Sequence, residues 1–235
     1  MKTALIGLGR IGWQYHLPQI VKHEGFEPAA VVDTNPERLR EAEAAYGVRG
    51  YADAAEMLAK EAPELVVVAS PTVFHRQHAM DALRAGAHVF LDKPMACSLS
   101  EAREIADRAR ACNRKLMVYQ PHRATAEAVA ARQVLESGLL GRVYMIRRAS
   151  NGYNRRADWQ AFEKNGGGML SNYGAHYIDQ LLYLTGGVPE EVRCWRMREV
   201  SLGDADDVVK VIIRIANGPL LDVDISQAAA LSAEP

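Results

Sequence analysis

Three glycines near the start of the chain have a spacing and a setting that restrict the fold. The apolar segment TALI runs directly into GLGRIG, so Gly7, Gly9 and Gly12 lie between a strand pattern and a helix pattern. In this setting the first glycine permits a tight turn, the second lets a pyrophosphate approach the backbone, and the third lets helix and strand pack closely. The free amides of the helix start then face the phosphates. The motif therefore predicts a strand–turn–helix unit that binds a dinucleotide, with Arg10 and Ile11 among its contacts.

The rest of the first half alternates short β-branched runs with helical patterns. This alternation is typical of strand–helix–strand units around a parallel sheet. The predicted strands are 2–6, 28–32, 65–69, 88–91 and 115–119, and the predicted helices are 11–22, 36–46, 54–60, 74–85 and 99–111. Together they predict a doubly wound Rossmann domain over residues 1–121.

The pattern changes near residue 122. Residues 151–168 are polar, aromatic and glycine-rich, which is the composition of a functional loop. Around this loop the predicted elements are a helix over 125–137, a strand over 142–150, an amphipathic helix over 169–184, and strands over 192–199, 208–215 and 220–226. These elements predict a second, α+β domain over residues 122–235 with an open, mainly antiparallel sheet, so that the chain is of the α/β class.

Composition and charge exclude several classes of protein. Of the 235 residues, 49% are hydrophobic and 24% charged, which excludes a disordered chain. The formal net charge is -1 and the apolar runs are short, so we expect neither nucleic-acid nor membrane partners. No secretory leader pattern precedes the first strand, and the expected location is the cytoplasm. Cys97, Cys112 and Cys194 lack CxxC spacing and predict reduced thiols rather than disulfides or zinc.

The second predicted strand is followed by an acidic residue, Asp33, 21 residues after Gly12. A carboxylate there accepts hydrogen bonds from the ribose 2′ and 3′ hydroxyls of NAD and repels the 2′-phosphate of NADP. Arg38 is near enough in sequence to pair with such a phosphate, so NADP stays open as a second cofactor. The alternative role of Asp33 is a strand-end cap that opens the turn at residues 33–36.

Two later segments make the pattern specific. FLDKP at 90–94 and GGGMLSNYGAHYIDQ at 166–180, together with GLGRIG, resemble the Gfo/Idh/MocA family, which includes glucose-fructose oxidoreductase and inositol dehydrogenase. The resemblance covers the whole chain. ASPTVFH at 69–75 is similar to the family's loop beside nicotinamide, and YQPHR at 119–123 to its domain crossover. The resemblance implies an NAD(P)-dependent oxidoreductase that acts on a secondary hydroxyl of a sugar, polyol or related carbohydrate, and a dimer or tetramer joined through the open sheet.

The FLDKP segment carries the first candidate catalytic residue. Pro94 disfavours α geometry at Lys93, so Asp92 and Lys93 project to opposite sides at the carboxyl end of a parallel strand, where α/β sheets bind ligands. A lysine that binds a substrate hydroxyl while facing oxidised nicotinamide is tuned toward proton transfer. The alternative is a surface lysine in a turn. The further cofactor contacts that the resemblance implies are Ser70, Pro71, His75, Asp92, Lys93 and Gln120.

The GGGMLSNYGAHYIDQ segment carries the second candidate. Asn172, His176 and Asp179 are spaced i, i+4 and i+7, so they share one face of a helix. The resemblance implies that His176 is the general base, whereas the alternative is a buried core histidine. Many family members have aspartate where this chain has Asn172, and glutamate is more usual at Asp92. Asparagine orients an imidazole but cannot stabilise an imidazolium by charge.

Substrate and metal sites complete the predictions. Tyr153, Arg155, Arg156 and Trp159 lie in the polar loop and are candidates to hold a polyol, with a solvated loop as the alternative. The predicted catalytic residues are Lys93, Asn172 and His176, and the predicted substrate contacts are Lys93, Arg123, Tyr153, Trp159, Asn172 and His176. His75 and His78 are spaced like a metal pair but lack a third ligand, so we predict no metal site.

Two other activities remain open at this stage, and so does the extent of the chain. An NAD-dependent glycosidase and a catalytically silent nucleotide sensor both occur in the family, and Asn172 favours the sensor, whereas Lys93 and His176 oppose it. The family continues beyond residues 231–235 with further strands and a closing helix, on the order of 100 residues by ordinary element lengths. We therefore expect a truncated chain with an exposed apolar sheet edge and low stability.

Overall fold

The computed structural model describes residues 1–230. The chain divides into two compact units, one ending at Tyr119 and the other beginning at Gln120. This division lies just before residue 122, where the sequence predicts the second domain to begin. The predicted point of truncation, residues 231–235, lies outside the described residues.

The first unit is built on a six-stranded sheet in which every pairing is parallel. Its strands are β1 (Lys2–Ile6), β2 (Glu27–Val32), β3 (Arg49–Tyr51), β4 (Leu65–Val68), β5 (His88–Leu91) and β6 (Leu116–Val118), and its helices are α1 (Leu17–Lys22), α2 (Pro36–Tyr46), α3 (Ala54–Glu61), α4 (His75–Arg84) and α5 (Leu99–Ala111). The strand order β3-β2-β1-β4-β5-β6 reverses at β1. The Rossmann fold class is confirmed, and the reversal places a ligand-binding crevice at the carboxyl ends of β1 and β4.

The central strands are buried on both faces because helices cover both sides of the sheet. Val66, Val67 and Val68 of β4 are at most 4% exposed. Side chains of α3, α4 and α5 pack on one face, and those of α1 and α2 on the other. A continuous β-branched run is therefore the expected sequence of such a strand.

One strand of this sheet, β3, is missing from the sequence prediction. It has only three residues and pairs with β2 in parallel register. Glu61, at the end of α3, accepts hydrogen bonds from Tyr51 Oη at 2.5 Å and from Arg49 Nη1 at 2.7 Å. These contacts join separate elements, so no local pattern indicates them.

The second unit contains a four-stranded sheet with helices on one face. Its elements are α6 (Ala126–Glu136), β7 (Met145–Asn151), α7 (Ala175–Thr185), β8 (Pro189–Met197), β9 (Val208–Ile215) and β10 (Leu220–Ser226). The order is β7-β10-β9-β8, and the two pairings of β9 are antiparallel, whereas β7 runs parallel to β10. Alternate residues of β9 and β10 pack against Tyr177 and Leu181 of α7. The predicted open, mainly antiparallel sheet is confirmed, and its one parallel pairing arises because the chain crosses over from β7 through α7 before it returns.

Within residues 1–230 the longest helix is α5, with 13 residues. A membrane crossing needs about 20 apolar residues in a helix. None of the helices in this range has the length and apolar character that a crossing requires.

The connection between β8 and β9 depends on one buried carboxylate. Asp207 is 1% exposed and accepts backbone hydrogen bonds from Glu199 at 2.8 Å, Val200 at 2.7 Å and Ser201 at 2.5 Å. The three amides lose their acceptor in Asp207→Ala. We expect this variant to lower the free energy of unfolding by about 1–3 kcal/mol, measured by urea denaturation.

Asp107→Ala is the matched control, because Asp107 forms an exposed ion pair with Arg110 in which both side chains are 70% exposed. Such pairs contribute about 0–1 kcal/mol. Equal unfolding midpoints for the two variants would contradict the role given to Asp207.

Candidate functional site

The glycine turn after β1 is held together by main-chain contacts. Gly7 has φ +99°, and a Cβ on it would lie 2.7 Å from the backbone of Ala69 and Ser70. A Cβ on Gly12 would lie 1.9 Å from Gly7 O, whereas Gly9 has open space around its missing side chain. The protein itself therefore requires glycine at positions 7 and 12. The open space at Gly9 fits a group from outside the chain, as a pyrophosphate cradle requires.

The helical segment after this turn begins differently from the prediction. Gly12–His16 form a π turn before α1 starts at Leu17, where the sequence predicts one α-helix over 11–22. π turns occur mostly as single turns in longer helices, and often at functional sites. The wider turn brings His16 to the carboxyl edge of the sheet, where its ring contacts Phe90 of β5 and Tyr119, the residue after β6.

Asp33 connects the end of β2 to the glycine turn. Its Oδ2 accepts a hydrogen bond from Leu8 N at 2.8 Å, and its Oδ1 accepts one from Asn35 N at 2.9 Å. The capping role considered from the sequence is therefore present. A carboxylate has about four acceptor positions, so two ribose hydroxyls can still bind to it. Arg38 Nη1 lies 3.7 Å from Oδ2.

The loop after β4 is tied to the DKP segment through His75, which is 1% exposed. Its Nδ1 lies 2.8 Å from Pro94 O and its Nε2 lies 2.8 Å from Ser70 O. Burial lowers the pKa of His75, and the hydrogen bonds to the two carbonyls oppose that shift. This histidine holds two loops together at the sheet edge. Pro71, which follows Ser70, precedes a short 3₁₀ turn, Thr72–Phe74.

His78 contacts the same loop, since its Nδ1 lies 2.9 Å from Ser70 Oγ. Burial lowers its pKa as well. The part of the chain that the structure describes holds no cluster of three or more His, Cys, Asp or Glu side chains arranged for a metal ion.

Asp92 and Lys93 follow β5 at this same edge. Asp92 is buried, and its Oδ1 accepts a hydrogen bond from Lys93 N at 2.8 Å, so the carboxylate fixes the backbone of the lysine. The Lys93–Pro94 peptide bond is cis. His16 Nε2 lies 3.8 Å from Asp92 Oδ2, and the His16 ring packs edge-on against the ring of Tyr119, with centroids 5.2 Å apart. Sequence reasoning missed His16, whose only signal is its place one helical turn after Gly12.

In the second unit, the candidate base lies on the first turn of α7. The His176 ring stacks on the His122 ring with centroids 4.0 Å apart and planes 12° apart. Gln120 Nε2 donates to Ala175 O at 3.4 Å. Gln180 Nε2 donates to His122 O at 2.8 Å. Gln120 and His122 thus pack on the helix that carries His176, and Gln120, predicted as a cofactor contact, holds the start of that helix.

Arg123 and Asp179, two other candidates, pair with each other. The Arg123 guanidinium donates to both carboxylate oxygens of Asp179, at 2.7 and 2.5 Å. Hydrogen bonding to Asp179 raises the pKa of Arg123. Arg123 also lies over the Tyr183 ring at 5.0 Å. The predicted substrate contact therefore joins the segment before α6 to α7.

Asn172 lies in a second π turn, Leu170–Gly174, directly before α7. Its Nδ2 donates to Gln160 Oε1 at 3.3 Å, and Arg156 Nη1 donates to the same oxygen. The i, i+4 spacing assumed an α-helix throughout, and the wider turn changes the direction of Asn172 relative to His176. Gln160 was not among the candidates, because only the fold brings it to Asn172.

The polar loop predicted over 151–168 borders a cavity within the second unit. The cavity has a volume of about 150 Å³, and its lining includes Asn151, Tyr153, Asn154, Tyr173 and Gln227. Tyr153 is 67% exposed, and its backbone forms a β-bridge with Ala228. Trp159 is 39% exposed and begins a 3₁₀ turn. Arg155 is exposed, whereas Arg156 is half-buried.

Comparisons with known proteins agree with the two-unit division. Residues 1–120 match the family described as "Oxidoreductase family, NAD-binding Rossmann fold", and residues 128–235 match the "GFO/IDH/MocA C-terminal domain". The D-glucoside 3-dehydrogenase of Escherichia coli is 32% identical over 79% of this chain and 54% of its own length. The NADP(+)-dependent scyllo-inositol 2-dehydrogenase IolW of Bacillus subtilis is 26% identical over 82% of this chain and 53% of its own length.

Among solved structures, the WlbA dehydrogenase of Bordetella pertussis, in complex with NADH and UDP-GlcNAcA, superposes with a TM-score of 0.90 at 27% identity. That match covers 100% of this chain and 74% of WlbA. The chain spans 54%, 59% and 63% of the lengths of three curated relatives that it matches.

The glycine turn generates a paired stability prediction. Gly12→Ala places a methyl group against Gly7 O, so we expect its free energy of unfolding to fall by about 3 kcal/mol. Gly9→Ala meets no neighbouring atom, so its free energy of unfolding should change by at most about 0.5 kcal/mol. Urea denaturation measures both, and equal losses in the two variants would contradict this geometry.

Proposed function

Because the chain belongs to the Gfo/Idh/MocA family of oxidoreductases, we propose that it binds NAD and transfers hydride between NAD and a secondary hydroxyl of a sugar, polyol or related carbohydrate. The observation that carries the proposal is the glycine turn at the sheet reversal, with open space at Gly9 and the carboxylate of Asp33 beside it. The glucoside in the name of the E. coli relative and the UDP-GlcNAcA in the WlbA complex support the substrate class.

The first unit holds the cofactor in this proposal. The backbone at Gly9 approaches the pyrophosphate, and Asp33 accepts hydrogen bonds from the adenosine ribose while Leu8 N keeps the carboxylate in place. Arg10 and Ile11 begin the helical segment after the glycine turn, and Ser70 lies in the loop after β4. When bound, oxidised NAD supplies the acceptor for the hydride. The NADP(+) in the name of the B. subtilis relative keeps NADP as a second cofactor, for which Arg38 supplies the charge.

The second unit supplies the base. Oxidation of a secondary alcohol to a ketone removes a hydride from carbon and a proton from oxygen, and His176 accepts that proton. An imidazole suits this role because its ordinary pKa lies near neutrality. Asn172, held by Gln160, offers hydrogen bonds to a sugar hydroxyl but no charge.

Lys93 has the complementary role of holding the reacting hydroxyl. Its backbone amide is fixed by Asp92, so the start of its side chain has a defined direction. An ammonium that donates to the substrate oxygen stabilises the negative charge that develops as the proton leaves. Tyr153 and Trp159 are the proposed sugar contacts of the polar loop.

Removal of either acid–base residue tests this assignment. We expect His176→Ala and Lys93→Ala each to lower kcat for NADH formation at least about 100-fold, since a positioned proton-transfer group contributes that much. NAD affinity, measured by fluorescence titration, should stay unchanged in His176→Ala, because His176 is not among the predicted cofactor contacts. The substrates tested are a panel of polyols, sugar acids and amino sugars. Turnover is measured by the absorbance of the NADH that forms.

His23→Gln is the control, because His23 is exposed in the loop between α1 and β2. Full turnover in either active-site variant would defeat the assignment. Release of nitrophenol from nitrophenyl glycosides without steady NADH formation would identify a glycosidase instead.

The charge of Asp33 determines the predicted cofactor preference. We expect a higher kcat/KM with NAD than with NADP. Asp33→Asn keeps an acceptor for Leu8 N but removes the negative charge, so the preference should fall at least about tenfold, equivalent to 1.4 kcal/mol. Asp53→Asn makes the same change at the N-cap of α3 and should leave the preference unaltered. A wild-type preference for NADP would overturn the role of Asp33.

A further inference from the structure

His122 and His176 form a stacked pair of imidazole rings, of which only His176 takes part in the proposed reaction. The ring centroids are 4.0 Å apart and the planes differ by 12°. Both residues are half-buried. His122 comes from a 3₁₀ turn, Pro121–Ala124, and His176 from α7, so their contact is made by the fold of the second unit.

The segment that carries His122 is held on α7 on both sides of the stacked ring. Gln180, which is 6% exposed, donates to His122 O at 2.8 Å. The next residue, Arg123, makes its two hydrogen bonds to Asp179. The His122 ring also lies 5.9 Å from the Tyr177 ring. His122 is therefore anchored by its own backbone and by its neighbour, and its ring has a defined place on the face of His176.

Several of the charged side chains packed around this pair are already paired with one another. Arg123 is paired with Asp179, and Arg132 of α6 with Glu136. Arg148 of β7 lies over the Tyr177 ring at 4.8 Å. The other titratable side chains of the elements against α7 are Tyr173 of the π turn, Tyr183 of α7 itself, Glu127 of α6, Arg147 of β7, and Asp222 and Asp224 of β10, which pair with Arg147 and Lys210.

Glu127 of α6 is an acidic group whose pKa is affected by the positive charges near the pair. Hydrogen bonds from its own backbone and from Thr125 lower its pKa, with smaller contributions from Arg148 and His122. Arg148, by contrast, adds a positive charge on the strand beneath α7. Protonation of both rings would place two positive charges on rings whose centroids are 4.0 Å apart, which disfavours the second proton.

We propose that His122 is a positioning residue for His176: it fixes the plane of the His176 ring, and its own charge prevents the two rings from being protonated together. The proposal rests on the assignment of His176 as the base. The pair takes up a first proton readily and resists the second, so one neutral imidazole persists to lower pH than an isolated histidine would allow. Stacking also restricts rotation of the His176 ring, which keeps the same nitrogen directed at the substrate.

Histidine-ring NMR titration of the whole chain tests this coupling without any substrate. The chain has 7 histidines, and the signals of the pair are identified by their loss in His122→Phe and His176→Phe. We expect the wild-type pair to titrate in two steps separated by more than about one pH unit. In His122→Phe, which keeps an aromatic ring on the stack, His176 should titrate in a single step with its midpoint raised by about one pH unit.

The reciprocal variant gives an independent measurement. In His176→Phe the midpoint of His122 should rise by the same amount, because the interaction belongs to the pair. If either His122→Phe or His176→Phe does not fold, the titration of the other variant still tests the coupling. His23→Gln should leave both midpoints unchanged. An unaltered midpoint in a folded variant would overturn the proposal.

A pH profile separates this role from a purely structural one. His176 must be neutral to accept a proton, so the acid limb of kcat/KM should move to higher pH in His122→Phe while kcat at high pH stays within about threefold of wild type. A uniform loss at every pH would show a structural role only and overturn the proposal. Should the wild-type chain oxidise no substrate of the panel, the proposed function fails, and the NMR titration still decides whether His122 controls His176.

Discussion

The close packing of main chain at the reversal of the parallel sheet determines the geometry of the first unit. Gly12 lies directly on Gly7 O, and Gly7 in turn lies on the backbone of Ala69 after β4. Because no side chain separates these segments, the helix start and the ends of β1 and β4 occupy one small region. Gly9 then becomes the open side of the turn, and Asp33 is close enough to accept from Leu8 N. The candidate cofactor site is thus a consequence of backbone contact before any side-chain chemistry enters.

Both units start their functional helix with a π turn, Gly12–His16 in the first and Leu170–Gly174 in the second. A π turn inserts an extra residue per turn and changes the direction of the side chains that it carries. His16 therefore reaches Asp92, and Asn172 reaches Gln160. In each unit the π turn directs a polar side chain away from the regular helix face. Both of these side chains lie beside candidate site residues.

The sequence predicts most of the elements because their signals are local. Helix α5 has its predicted bounds, since the side chain of Ser98 caps it and accepts from Glu101 N. Strand β4 is a continuous valine run that can only be buried. What periodicity cannot show are contacts between elements distant in sequence: the ties of His75 to two loops and the stacking of His122 on His176. These contacts define the candidate site, so the chemistry of the site is less predictable than the fold around it.

The charge around His176 follows from those same contacts. Asn172 brings no charge to the start of α7, and the carboxylate of Asp179 is neutralised by Arg123. Neither Asn172 nor the paired Asp179 therefore brings an uncompensated negative charge to His176, and in the proposal a charged His122 repels a charged His176. In the proposed reaction His176 must be neutral to accept a proton, and the proposed repulsion from a charged His122 favours that neutral form. An aspartate at position 172 would strengthen the base and reduce the neutral fraction, so the asparagine and the stacked histidine act in the same direction.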